Sequence, residues 1–264
     1  MLIFLIYFFI GLLASTIGAI AGLGGGVIIK PVLDMFGHFD LATVGVLSAA
    51  TVLSMSIVSM FKARKSNVTI NITASSMIAV GSIVGGIIGK ALFNYIVFSL
   101  HATKITAISQ SIILVLLLST IYIYFKKKDQ YTTFVLKNTF IIFSVGILLG
   151  VLAAFLGIGG GPLNVAVLSF LFSMNAKNAS INSIFIIFFS QLSALLLIGF
   201  TTGFEIYDLS MLSYMVLGGI LGGWIGSIVV TNIRNSQVEK LFNLSILVII
   251  CINIYNIIQA VLLQ

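Results

Sequence analysis

Charge is what this sequence has least of. Its 264 residues include 13 Lys and Arg and 6 Asp and Glu, 7 % in all, where about 25 % is usual in soluble chains. With 60 % hydrophobic residues and a mean hydropathy of +1.25, a water-soluble domain could not cover its own surface. The single cysteine, Cys251, excludes an internal disulfide and a cysteine-held metal cluster. His38 and His101 are the only histidines, and both fall outside the apolar runs, so an intramembrane enzyme has little to be built from. His38 with Asp34 and Asp40 is the one polar cluster, and it reads as a solvated turn. The longest polar stretch, Lys126 to Lys137, leaves no extramembrane catalytic or binding domain. A net charge of +7 invites a nucleic-acid partner, but the basic residues lie in short connectors. Beside membrane helices such residues record orientation.

The charges that exist are segregated. Uncharged runs cover 1–29, 41–61, 66–89, 105–125, 138–176, 178–204, 209–233 and 241–264. About 20 apolar residues cross a hydrocarbon core as helix, and each run is that long. The runs are apolar on all sides, without the alternation of a membrane barrel. Helix is then the one way to satisfy the backbone in lipid. The fold class is all-α, a polytopic transmembrane bundle of about eight spans. Met1 to Leu13 resembles a signal-peptide core, yet it lacks a charged n-region and has a partner in mid-chain, so it reads as retained.

That partner belongs to an internal duplication. Gly22-Leu23-Gly24-Gly25-Gly26 recurs as Gly157-Ile158-Gly159-Gly160-Gly161, offset by 135, and GSIVGGIIG at 81–89 recurs as GGILGGWIG at 218–226, offset by 137. The division is a first repeat over 1–125, a basic connector over 126–137 and a second repeat over 138–264. Lys62, Arg64 and Lys65, then Lys126, Lys127, Lys128 and Lys137, place two loops inside. In the second half the basic loop is the later one, with Arg234 and Lys240, which leans towards an inverted repeat over a parallel one.

Three glycines in a row interrupt a helix, since each costs about 1 kcal/mol against alanine. Non-helical backbone at membrane depth must be buried in protein or line a cavity. The pattern predicts a short helix from Gly26 towards Phe36 and another from Gly161 towards Phe172, with Pro162 in its first turn. Such helices present bare N–H groups and the positive dipole end, a site for an anion. Glycines spaced by four (Gly81, Gly85, Gly89; Gly218, Gly222, Gly226) read instead as helix-packing scaffold. GLGGGVIIK lacks the adjacent Gly-Lys-Ser/Thr of a nucleotide loop. The candidate binding residues are Gly24, Gly25, Gly26, Lys30, Pro31 and Ser48 in the first half, with Gly159, Gly160, Gly161, Asn164 and Asn182 in the second. Lys30 reads either as a site cation or as a side chain snorkelling to the interface.

The paired Gly-x-Gly-Gly-Gly motifs, each followed by a short apolar stretch and a helix rich in small and hydroxyl residues, resemble the TauE/SafE family of sulfite exporter-like and toluene-sulfonate-uptake permease-like proteins. The family's proline a few residues on is matched by Pro31 but replaced by Ala166 in the second half, and its Ala-x-Gly-Thr-Ser-like stretch is altered to Ala42-Thr43-Val44-Gly45-Val46-Leu47-Ser48. The resemblance implies a multi-pass transporter of a bacterial inner membrane. Its substrate would be a small anion such as sulfite or an organosulfur species, moved by alternating access. No cofactor and no catalysis are expected. Its partners would be the anion, the lipid bilayer and a coupling proton or sodium ion, with assembly into a homo-oligomer left open. The competing readings are a cation channel or transporter using carbonyls freed at the glycine breaks, and an intramembrane enzyme.

Overall fold

The structure, a computed structural model, describes residues 2–63, 71–99 and 103–262. Arg64, Lys65 and His101 lie outside the described residues. Among those described, all regular structure is helical. The first half holds α1 (Leu2–Ala21), α2 (Gly26–Phe36), α3 (Leu41–Ala63), α4 (Ile72–Asn94) and α5 (Thr103–Lys126). The second holds α6 (Thr139–Leu156), α7 (Gly161–Phe172), α8 (Ala176–Thr201), α9 (Leu212–Asn232) and α10 (Asn235–Leu262). Eight of these are long and apolar enough to cross a bilayer, so this is a multi-pass membrane protein. The exceptions are α2 and α7, with 11 and 12 residues, about 17 and 18 Å at the helical rise. End to end they match roughly the 30 Å hydrocarbon core.

Contacts at the helix ends give the directions. Tyr7 Oη lies 2.7 Å from His38 Nδ1, so α2 returns to the face where α1 begins. Lys104, at the start of α5, shares that face with Asn256 and Gln259 at the end of α10. The opposite face gathers the connector. There the N–H groups of Phe134 and Leu136 donate to the carbonyls of Phe170 and Leu171 at the end of α7. Lys128 pairs with Glu239 at the start of α10. Lys177, at the start of α8, donates to the carbonyls of Thr231 and Ile233 at the end of α9. On this second face α4, α6 and α8 start from asparagine caps, Asn71, Asn138 and Asn175, each accepting from its helix's first turn. The chain therefore enters as α1, turns back as α2, and crosses three more times before α6 enters from the other side. The second set of helices runs opposite to the first.

The two sets interlock. α1 lies along α9, and α4 lies along α6. Gly81, Gly85 and Gly89 of α4 press on the backbone of α6 around Gly146, Ile147 and Val151. Gly218, Gly222 and Gly226 of α9 do the same to Phe8, Leu12 and Thr16 of α1. Any side chain at these glycines would hold the axes apart. The core at the meeting of both sets includes Leu23, Val27, Leu156, Ile158, Val165 and Leu168, all buried.

Candidate functional site

The tips of the two helical hairpins meet inside the bundle. Gly25 and Gly160 cap α2 and α7 at φ +72° and +76°, a left-handed conformation that side chains rarely adopt. Their carbonyls start the helices, Gly25 accepting from the N–H of Ile29 and Gly160 from that of Asn164, both at 2.9 Å. The tips are seated on each other's backbone. A Cβ at Gly26 would stand 2.9 Å from Ile158 O and 3.0 Å from Ser48 Oγ, and one at Gly161 would overlap the Leu23 carbonyl. Ser183 Oγ donates to Gly22 O at 2.7 Å and reaches Gly161 O at 3.4 Å, so one hydroxyl clips both turns. Gln191 Nε2 lies 3.0 Å from where a Cβ on Gly159 would project.

Beside this junction sits Lys30, 5 % exposed and the only charged side chain fully buried among the described residues. Its Nζ donates to Gln110 Oε1 at 2.8 Å and lies 3.4 Å from Asp34 Oδ2. Its stem crosses the end of α6, with Cε 3.1 Å from where a Cβ on Gly157 would be. Gln110 Nε2 in turn donates to Phe155 O, a last-turn carbonyl of α6 without a helical partner. The ammonium thus sits near the negative end of α6 and the positive start of its own helix. It faces a chain of dipoles rather than bulk water. Pro31 lies within α2 without ending it, and its carbonyl accepts from Asn256 Nδ2 at 2.9 Å.

Of the residues singled out in the sequence, Gly24 to Gly26, Gly159 to Gly161, Ser48 and Asn164 are gathered about the junction with Lys30 beside them, while Pro31 lies further along α2 against Asn256. Asn164 is buried, with its amide 3.6 Å from where a Cβ on Gly160 would be. Asn182 points elsewhere. Its Oδ1 accepts from Asn71 N at 2.9 Å and Ser75 Oγ at 2.7 Å, tying the start of α4 to α8. Its neighbour Ser183 reaches the turns instead, and Ser183 is the residue 135 positions after Ser48. Gln110 and Asp34 join the site although they are not among the sequence candidates. Gln110 carried a signal, being the only carboxamide in the apolar run 105–125. Asp34 looked like a loop acid, whereas it lies on α2 one turn from Lys30.

A family model for Sulfite exporter TauE/SafE matches residues 7–253, nearly the whole chain. No match was found among curated proteins or among solved structures.

Proposed function

The chain belongs to the TauE/SafE sulfite exporter family, a family of membrane transporters, and on that premise we propose that it moves sulfite or an organosulfur anion by alternating access. The observation that carries the anion reading is Lys30. A lysine in a membrane bundle is expensive and marks a pathway or a partner. Here its carboxylate neighbour is 3.4 Å away while a neutral carboxamide holds it at 2.8 Å. That loose pairing leaves positive charge to offer where two half-helix starts converge. In the resting arrangement the tips are closed on one another. Admission of substrate at the junction therefore requires α2 and α7 to part, and closure behind it returns the backbone contacts.

The cation reading has less support. Carbonyls at the breaks already have donors: Gly22 O holds Ser183, Phe155 O holds Gln110, and Gly18 O faces Gly24 N at 3.4 Å. An ion coordinated there would displace all three. The second face carries Lys62, Lys126, Lys127, Lys128, Lys137, Lys177, Arg234 and Lys240 with Glu239, whereas Lys104 stands with Asp34, Asp40, Glu205 and Asp208 at the first. By the positive-inside bias the second face is cytoplasmic, here the cytoplasmic side of a bacterial inner membrane.

Purified protein in liposomes tests the reading. Radiolabelled sulfite should enter or leave wild-type vesicles and not Lys30→Met vesicles, while sodium and potassium do not move alone. Flux of either cation without any sulfite flux would overturn it.

A further inference from the structure

At the first face a cavity of about 340 Å³ with a mixed polar and apolar wall opens between α2, the start of α5 and the end of α10. Asp34, Lys104, Ser111, Asn256 and Gln259 supply its polar wall. Asn256 spends its amide N–H on Pro31 O, which leaves its Oδ1 buried with no donor. Behind Asp34 lies Lys30. Among the described residues, the charges at the cavity and behind it are the ammonium groups of Lys104 and Lys30 and the carboxylate of Asp34, and the carboxylate stands between the cavity and the deeper ammonium.

The cavity is written into side-chain size. At the second face the rings of Phe125 and Phe242, at the end of α5 and the start of α10, pack at a tilt of 51° with centroids 4.6 Å apart, in the same buried cluster as Leu168 and Phe172 of α7. Along α5 the residue near the first face is Ala107 and near the second Phe125, and along α10 they are Ala260 and Phe242. Ala107 and Ala260 are both walls of the cavity. Small residues leave open on one face what aromatic rings fill on the other.

We propose that this cavity is an outer anion site on the approach to the glycine junction, in which Asp34 is the residue an incoming anion must displace from Lys30. The inference rests on the anion-transport reading. Lys104 first draws the anion in. The anion then competes with the Asp34 carboxylate for the Lys30 ammonium, and a free Asp34 repels a second anion behind it. Asp34 thereby sets the affinity of the site without being a ligand of the anion. Only an anion able to replace a carboxylate beside an ammonium gains entry to Lys30; a neutral molecule has no such purchase.

The test is sulfite binding by thermal shift on detergent-purified protein, alongside sulfite flux in liposomes. Asp34→Asn should bind sulfite roughly fivefold tighter than wild type, since a competing partly exposed ion pair is removed. Asp34→Ser should do likewise, which covers the case in which one variant folds poorly. Lys104→Gln should bind more weakly. Ala107→Phe should fill the cavity and abolish the shift while leaving Lys30, Gln110 and Asp34 in place. Equal or weaker binding in both Asp34 variants, with wild-type flux intact, would overturn the outer site and leave the transport reading standing. A wild type that neither binds nor moves sulfite would overturn both.

Discussion

The half-helix of the first set, α2, ends beside a cavity with charged residues in its wall; that of the second set, α7, ends in a buried cluster with the tilted rings of Phe125 and Phe242. Their beginnings are alike: a left-handed glycine cap, a first residue without a side chain, and a backbone pressed on the other's turn. Four residues past Gly26 stands Lys30, bonded to Gln110; four past Gly161 stands Val165, 1 % exposed in the hydrocarbon core. The backbone break thus occurs twice among the described residues, and the buried charge beside it once. Residues that both sides share build the joint. Chemistry is to be sought where they differ.

Exchange across that difference gives the largest effect. Val165→Lys buries an ammonium with no partner among Leu163, Leu168 and their neighbours, a cost of several kcal/mol, and should give no monodisperse protein on size-exclusion chromatography. Lys30→Val should be recovered folded but with flux down about tenfold or more. A well-folded, active Val165→Lys protein would remove the meaning of the asymmetry. Next comes the joint. Gly161→Ala meets the Leu23 carbonyl head-on and should cost about 3 kcal/mol, against about 1 kcal/mol for Gly26→Ala, whose Cβ stands 2.9 Å from Ile158 O. Melting temperatures of the two variants would rank them. Ser183→Ala leaves Gly22 O without its hydroxyl and should cost about 1–2 kcal/mol, read in the same melts. The smallest effect is one of access. In a Cys251→Ser background, a cysteine at Ser111 in the cavity wall should label with a charged thiol reagent, and one at Ser169, under Tyr124 at 3.4 Å, should label far more slowly.

The helices were legible because lipid enforces a crude code: an uncharged run of some twenty residues has few other conformations available. The run 138–176, too long for one span, is divided in the structure between α6 and α7 at Gly157 to Gly160. The partners of buried side chains were not legible. Lys30 and Gln110 are 80 residues apart, and nothing local to either says that their side chains meet across the gap between α2 and α5. Asn182 and Ser183 differ by a single step around a helix. Which of them meets the turns depends on the rotation of α8, which a helix apolar on every side does not declare.

The interlocking of α1 with α9 and of α4 with α6 also bears on how the protein is made. The ribosome delivers α1 to the membrane some two hundred residues before α9 exists. Until then the strip of α1 destined for close backbone contact faces lipid or a chaperone. Release of the nascent chain after α5 would yield four long helices of which α1 and α4 each lack their principal neighbour. Quality control in the membrane should treat such a fragment as an orphan subunit, and supplying the missing segment in trans should rescue it.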